Sequence, residues 1–481
     1  MTLRGNWIGG EWCPSSSART RERRNPADHR ELVAVSPDSN ADDVRAAVDA
    51  VAESCHEWAE TAPEQRGAVL QQAADRLEAG ARQLAEELVR EEGKTLSEAV
   101  NETQRTAANL RFYAAEALRL SGEALTASGS GLVFTRRESV GVVAAITPWN
   151  FPLSIPSRKL GPALAAGNGV VFKPSEFTPL MGQRLVEALL DAGLPAGVIA
   201  LVHGGAEAGS ALVADPRVAA VTFTGSYGAG EAIHRAVAPY QRTQLEMGGK
   251  NPVVVLDDAD LPRAADLIVQ GAFGLSGQAC TGTSRVIAHE KIHDELLDLV
   301  VTRTASRRIG NGLEEGVQMG PLATSAQLSK ARDYLAGALT EGADLRTGGD
   351  PLPDGLAELG HFMRPAVLAE VKPTSRVARE EVFGPVLAFL RVSSFDEAIR
   401  VANDTEYGLS AGLVTRDLGT ALEFARRVDS GLVKINQPTT GMAINAPFGG
   451  VKRSSTQTFK EQSGDTMMRF YTVDKTVYLG P

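Results

Sequence analysis

Apolar and polar positions along the chain follow two rhythms in succession. From Ala41 to about Ala127 the sequence is rich in Ala, Glu, Leu and Arg. Apolar residues recur there at helical spacing, as at Val69, Leu70, Ala73 and Leu77 and then at Leu84 and Leu88. Several helices are expected, each with one apolar face to bury. From Val140 onward the texture changes to short apolar runs, Val140 to Ile146, Val170 to Lys173, Ile199 to Val202 and Val218 to Phe223, separated by Gly- or Pro-bounded helical segments. That alternation predicts an α/β fold, a parallel sheet with crossover helices. A second alternating region runs from Pro252 to about Gly431, with strands expected at Val253 to Leu256, Ser284 to Ala288 and Val386 to Val392. Gly131 to Arg136 and Met468 to Leu479 also alternate in the manner of strands. No internal repeat or low-complexity tract stands out.

Size and composition narrow the class. A chain of 481 residues is too long for one core and should hold two or three domains, and 43% hydrophobic residues supply a large interior. A net charge of -10 argues against a nucleic-acid footprint, and the short basic run Arg19 to Arg24 is broken by Glu22. No uninterrupted apolar stretch reaches the roughly 18 residues of a membrane span, and the N-terminus lacks a signal-peptide core. Three cysteines without a CxxC pair fit a reducing, cytoplasmic setting, and seven scattered histidines give metal chemistry no support.

One of those cysteines occupies a conspicuous place. Phe273-Gly274-Leu275-Ser276-Gly277-Gln278-Ala279-Cys280-Thr281 sets Cys280 on a Gly-Gln turn between two apolar runs. A thiol on a turn, with backbone N–H groups free to meet a developing oxyanion, is suited to covalent catalysis. On these residues alone a plainer reading stands beside it, a cysteine that fills space in the core. A second segment, Gln244-Leu245-Glu246-Met247-Gly248-Gly249-Lys250-Asn251-Pro252, places a lone carboxylate before a Gly-Gly turn. Two polar residues at glycine corners favour a site over a core.

With Ile146-Thr147-Pro148-Trp149-Asn150-Phe151-Pro152, Phe172-Lys173-Pro174-Ser175-Glu176, Phe223-Thr224-Gly225-Ser226, Glu381-Val382-Phe383-Gly384-Pro385 and Pro447-Phe448-Gly449-Gly450, these segments resemble the aldehyde dehydrogenase superfamily in family order over nearly the whole chain. The resemblance implies a Rossmann-like NAD-binding domain (1–117 and 139–248), an α/β catalytic domain (249–448) and a small bridging β element (118–138 and 464–481). It further implies a homodimer or homotetramer. Cys280 is then the nucleophile, Glu246 the general base, Asn150 an oxyanion donor, and Lys159 with Glu461 parts of a proton path. Gly225 and Ser226 would hold the pyrophosphate, and Lys173 and Glu176 the adenosine ribose. Ile146, Trp149, Ser175, Gly248, Glu381 and Phe383 complete the cofactor set. A carboxylate at Glu176 would repel a 2′-phosphate, so NAD is expected, with NADP possible.

The expected reaction is oxidation of an aldehyde to a free acid through a thiohemiacetal and a thioester. Arg158 matches a tunnel position where succinic-semialdehyde enzymes carry Arg, and a guanidinium there could grip a distal carboxylate. Gly274, where those enzymes often carry a second Arg, weakens that narrower match, and the wider pattern looks closest to 2-oxoglutarate-semialdehyde dehydrogenases. Phe448 and Asn445 are expected to line the same funnel. The readings set against this one are a broad oxidiser of neutral aldehydes, with Arg158 pointing to solvent or to a structural carboxylate, and a catalytically silent scaffold of the same fold.

Overall fold

The structure, a computed structural model, describes residues 3–126, 131–349, 351–352, 355–456, 458–462 and 464–480. Two seven-stranded sheets organise it. The first runs in the order Arg242–Glu246, Val218–Thr224, Val142–Ile146, Gly169–Lys173, Ile199–Leu201, Asn6–Ile8, Glu11–Cys13. Its first five strands are mutually parallel, and the Asn6–Ile8 and Glu11–Cys13 hairpin adds an antiparallel edge. Val142–Ile146 and Gly169–Lys173 are buried along their whole length, as uninterrupted apolar runs in a parallel sheet require.

From Val142–Ile146 the chain winds outward through Gly169–Lys173 and Ile199–Leu201. It then crosses back to lay Val218–Thr224 on the other side. Strand order therefore reverses between Val142–Ile146 and Val218–Thr224, and a crevice opens beyond their carboxyl ends. Helix Ser154–Ala165 is buried at every position, between this sheet and helix Leu96–Ala117. Helix Leu96–Ala117 starts at a capping box formed by Thr95 and Glu98, which satisfies N–H groups that its first turn would otherwise leave unpaired.

The second sheet runs Asp344–Thr347, Ala366–Ala369, Val386–Val392, Thr283–His289, Asn251–Val255, Ser410–Val414, Leu432–Ile435, parallel except at its Asp344–Thr347 edge. The chain leaves the first sheet at Glu246 and enters the second at Asn251, so the Met247 to Lys250 link brings the two sheets together. A three-stranded sheet of Thr472–Leu479, Leu132–Ser139 and Ala124–Leu125 stands apart from both.

The α/β expectation agrees with this architecture, with differences at the ends. The strand expected from Met468 begins at Thr472, because Gly464–Phe470 is a helix that buries Met467, Met468 and Phe470 against the first core. The helical stretch expected to reach Ala127 stops at Ala117 and gives way to strand Ala124–Leu125; Ala127 itself lies outside the described residues. No helix of the described residues is long and apolar enough to cross a membrane.

Candidate active site

Cys280 sits at the amino end of strand Thr283–His289, after a backbone run that is unusual for L-residues: Leu275, Ser276 and Gly277 have φ of 49°, 55° and 73°. Left-handed backbone at non-glycine residues is costly and persists only when its surroundings hold it. Here the Leu275 N–H donates to Glu98 Oε1 at 2.7 Å, the Ser276 hydroxyl to the Gly320 carbonyl at 2.8 Å, and Gln278 Oε1 accepts from the Ala323 N–H at 2.9 Å. A Cβ at Gly277 would stand 2.3 Å from the Gly384 carbonyl oxygen, so only glycine lets this turn touch the Phe383-Gly384 turn. Behind the nucleophile, Asn251 Nδ2 donates to the carbonyls of Cys280 (2.8 Å) and Gly282 (2.9 Å).

Asn150 lies directly beside this turn. Its Nδ2 donates to the Gln278 carbonyl at 2.9 Å, which leaves its second amide hydrogen without an acceptor among the described residues; the Cys280 backbone N–H is likewise unclaimed. The Asn150 carbonyl accepts from Lys94 Nζ at 2.8 Å, and Lys94 is ion-paired with Glu102, whose other oxygen accepts from the N–H groups of Leu153 (2.9 Å) and Ser154 (3.1 Å). A buried ion pair thus fixes the segment that carries Asn150. Sequence reasoning passed over Lys94 and Glu102.

Behind the thiol lies a chain of buried polar groups. Gln244 and Glu246, two apart on one strand, share a face. Glu246 Oε1 accepts from Gln244 Nε2 at 3.3 Å and from the Ser455 hydroxyl at 3.2 Å, and its Oε2 is buried with no hydrogen-bond partner. Lys159 Nζ donates to Gln244 Oε1 (3.2 Å), Thr222 Oγ1 (3.0 Å) and Glu461 Oε1 (2.8 Å). Arg158 approaches Glu461 Oε2 at 3.5 Å, donates to Met442 Sδ at 2.8 Å and lies over the Phe448 ring at 5.3 Å.

Burial and charge set the protonation of this group. Burial, reinforced by the Glu461 charge, pushes the Glu246 carboxyl up to about 8. Burial also raises the Cys280 thiol to about 12; although partly exposed to internal cavities, the thiol is surrounded by protein, and Arg158 is the main influence holding it down. For Glu461 burial works upward, but Lys159 and Arg158 outweigh it and keep the carboxylate below its ordinary range.

Cys280 and Ile155 line two cavities that meet at the thiol. The first lies at the crevice between the sheets, lined by Trp149 and Asn150 after one strand, Thr224, Gly225 and Ser226 after its neighbour, and Gly248, Glu381 and Phe383. Trp149 and Phe383 meet edge to face at 5.5 Å. The Gly248-Gly249 pair now has a physical reason. A Cβ at Gly248 would lie 2.2 Å from Glu381 Oε2, and the Gly249 N–H donates to Glu381 Oε1 at 2.9 Å.

Ser226 caps the ten-residue helix Tyr227–Ala236, whose N-terminus opens at the crevice. Thr147 and Thr224, at the carboxyl ends of the two strands flanking the switch point, have buried hydroxyls with no partner among the described residues. Ile146 and Lys173 end adjacent strands in register. Lys173 Nζ donates to the carbonyls of Pro174 (3.0 Å) and Gly204 (2.7 Å), the Ser175 hydroxyl accepts from the Phe177 N–H, and Glu176 lies beside Gly205.

The second cavity is built from a stripe on helix Leu96–Ala117 and from Phe151 with the first turns of helix Ser154–Ala165. Glu98, Asn101, Glu102 and Arg105 come from one, and Phe151, Ser154, Ile155 and Arg158 from the other, each at i, i+3, i+4, i+7. Leu275, Gly441, Met442 and Phe448 complete the wall. Arg105 was missed from sequence, although the polar stripe ending at it is the signal that could have found it. Asn445, expected in the funnel, is exposed, and Gly441 and Met442 of the same segment line the cavity. Among the described residues no group of three or more His, Cys, Asp or Glu side chains could hold a metal ion.

Residues 12–477 match the aldehyde dehydrogenase family. The chain is similar to an α-ketoglutarate semialdehyde dehydrogenase of Haloferax volcanii, 44% identical over 98% of each chain. It is also similar to an α-ketoglutaric semialdehyde dehydrogenase of Bacillus subtilis, 42% identical over 99% of this chain and 98% of the relative. Among solved structures it resembles an NAD-dependent aldehyde dehydrogenase from Sinorhizobium meliloti with a TM-score of 0.95 at 35% identity, covering 100% of this chain and 95% of that one. The chain belongs to the aldehyde dehydrogenase family and is an NAD(P)-dependent oxidoreductase acting on aldehydes.

Proposed function

We propose that the substrate is a semialdehyde bearing a distal carboxylate, of the 2-oxoglutarate-semialdehyde class, and that Cys280, Glu246 and Asn150 oxidise it to the diacid. The observation that carries the reading is the thiol at the junction of two cavities, one suited to a dinucleotide and the other walled by two arginines. The names of the two relatives favour the same substrate class.

A planar carbonyl carbon cannot give up hydride without becoming an acyl cation, so a tetrahedral adduct must form first. The Cys280 thiol gives up its proton to solvent and its sulfur attacks the aldehyde carbon, and the resulting oxyanion receives hydrogen bonds from the free amide hydrogen of Asn150 and the Cys280 N–H. Gly225, Ser226, Trp149, Glu381 and Phe383 would hold the bound cofactor, with Lys173, Ser175 and Glu176 at its adenosine end. When bound, the cofactor supplies the hydride acceptor. Loss of hydride leaves a thioester on Cys280. Glu246 then takes a proton from the attacking water, and collapse of the second tetrahedral adduct returns the thiol and releases the acid. Gln244, Lys159 and Glu461 give that proton a buried path away from the reacting carbon.

A carboxylate at Glu176 supports NAD over NADP. The three-stranded sheet supports a homo-oligomer, since Leu125, Leu132, Val473, Tyr478 and Leu479 on it are exposed. A cytoplasmic, reducing setting rests on three free thiols.

The test is rapid mixing with a carboxylate-bearing semialdehyde and NAD. Glu246→Gln should release about one NADH per site and then stall with a trapped thioester, whereas Cys280→Ser should release none. Continuous turnover by Glu246→Gln would remove Glu246 from the role of base.

A further inference from the structure

Resting on the semialdehyde reading, we propose that Arg105 is the guanidinium that holds the remote carboxylate of the substrate, while Arg158 is a fixed countercharge of the catalytic apparatus. Each arginine lies on one of the two helices that wall the substrate cavity, but their surroundings differ. Arg158 is buried. It faces Glu461 at 3.5 Å, is held by Met442 Sδ at 2.8 Å and is stacked on Phe448. A substrate carboxylate at Arg158 would have to compete with Glu461, a carboxylate that its buried cations keep ionised.

Among the described residues Arg105 has no carboxylate partner. Its hydrogen-bond partner among the described residues is the Met442 carbonyl at 3.1 Å, and no carboxylate is ion-paired with it. Of the two acidic residues sharing the wall, Glu102 is engaged by Lys94 and by the Leu153 and Ser154 N–H groups. Glu98 is engaged by the Thr95 and Leu275 N–H groups. Arg105 is half-buried, so its charge meets the cavity with part of its solvation already removed. Burial and the neighbouring Arg158 charge both act against its protonated form, a penalty that an incoming anion relieves.

The charges around the thiol point the same way. Arg158 is the cation that bears most strongly on the Cys280 thiol, and Arg105 is not among the charges that bear most on it. An aldehyde carbon bonded to Cys280 has its carboxylate several bonds away. The guanidinium that bears less on the sulfur is therefore the one left to receive it. Arg105 has N–H donors to spare for a two-point grip on a carboxylate.

The experiment compares Arg105→Met and Arg158→Met with the unaltered enzyme, using the carboxylate-bearing five-carbon semialdehyde and the neutral aldehyde of equal length, with NAD saturating. For Arg105→Met the KM of the acid-bearing substrate should rise roughly ten- to hundredfold, the loss expected when one charge-assisted contact is removed. Its neutral-aldehyde kinetics should stay within about twofold, which also reports an intact fold. Arg105→Lys should recover part of the loss. Arg158→Met should instead lower kcat for both substrates. If the unaltered enzyme prefers the acid-bearing aldehyde and Arg105→Met keeps that preference, the assignment of Arg105 is overturned and the semialdehyde reading stands. If the unaltered enzyme shows no preference, the semialdehyde reading falls and takes the assignment with it.

Discussion

Lys159 Nζ lies 2.8 Å from Glu461 Oε1, with both side chains fully buried, and Gln244 links that pair to Glu246. The pair ties the charge of the general base to a group on a distant part of the chain, because Glu461 is the neighbouring charge that most strongly raises Glu246 after burial itself. The base is protonated below about 8 and ionised above it. The hydrolytic step should therefore accelerate as pH rises through about 8 and level off beyond it. Glu461→Gln removes the negative charge that raises Glu246, so the rising limb should move to lower pH. Single-turnover thioester hydrolysis measured across pH checks this, and an unmoved limb would exclude the coupling.

The same carboxyl links pH to stability. Glu246 keeps its proton in the folded protein up to about 8, whereas in the unfolded chain it ionises in the ordinary carboxylate range. Between those limits the unfolded state holds fewer protons, so the stability this group contributes is lost as pH rises towards about 8. Glu246→Gln cannot ionise. Denaturant unfolding of the variant should show a shallower loss of stability with pH over that window, and parallel curves would contradict the buried, protonated state.

Cys280 should be a sluggish nucleophile before substrate and cofactor bind. Burial raises its thiol to about 12 and Arg158 opposes the rise. Alkylation by iodoacetamide, followed at Cys280 by peptide mass analysis, should be slow at neutral pH and quicken in alkali. Arg158→Met removes the opposing cation and should slow alkylation further at every pH below about 12. Faster alkylation would show that Arg158 shields the thiol instead of stabilising its anion.

Gly248 has no room for a side chain. A methyl group there would fall 2.2 Å from Glu381 Oε2, so Gly248→Ala must displace a carboxylate that lines the cofactor cavity. Overpacking of this kind costs about 1–3 kcal/mol. The larger effect should fall on the cofactor, with KM for NAD rising about tenfold or more and KM for the aldehyde changing little. Steady-state kinetics with each substrate varied in turn decides it.

How much of this was legible in the sequence depended on how local each feature is. The short apolar runs gave the parallel strands nearly in place, because a strand buried on both faces must be apolar throughout. Cys280 and Glu246 announced themselves through glycine corners, whose cause is local crowding: Glu381 occupies the space above Gly248, and the Gly384 carbonyl the space beside Gly277. Lys94, Glu102 and Arg105 stayed hidden among ordinary charged residues of a helical region. The polar stripe that ends at Arg105 was there to be read, but which of its residues meet the cavity, and that Lys94 pairs with Glu102, follow from packing against Ser154–Ala165. The Glu461 pairing is a contact across about 300 positions of sequence, closed only by the fold.

Glu98 serves two purposes, and separating them gives a further test. One carboxylate oxygen accepts from the Thr95 N–H and closes the capping box of helix Leu96–Ala117; the other accepts from the Leu275 N–H and holds the left-handed run before Cys280. Loss of a cap alone costs about 1 kcal/mol of stability. Thr95→Ala removes the Thr95 side-chain half of the cap and leaves the Leu275 contact in place, so it should lower the melting temperature with little change in kcat. Glu98→Ala removes both contacts. It should destabilise the protein by a similar amount and also lower kcat several-fold, because Leu275, Ser276 and Gly277 can then relax and shift the sulfur away from Asn150. Equal kcat in the two variants would mean that Ser276 and Gln278 hold the nucleophile turn without help from Glu98.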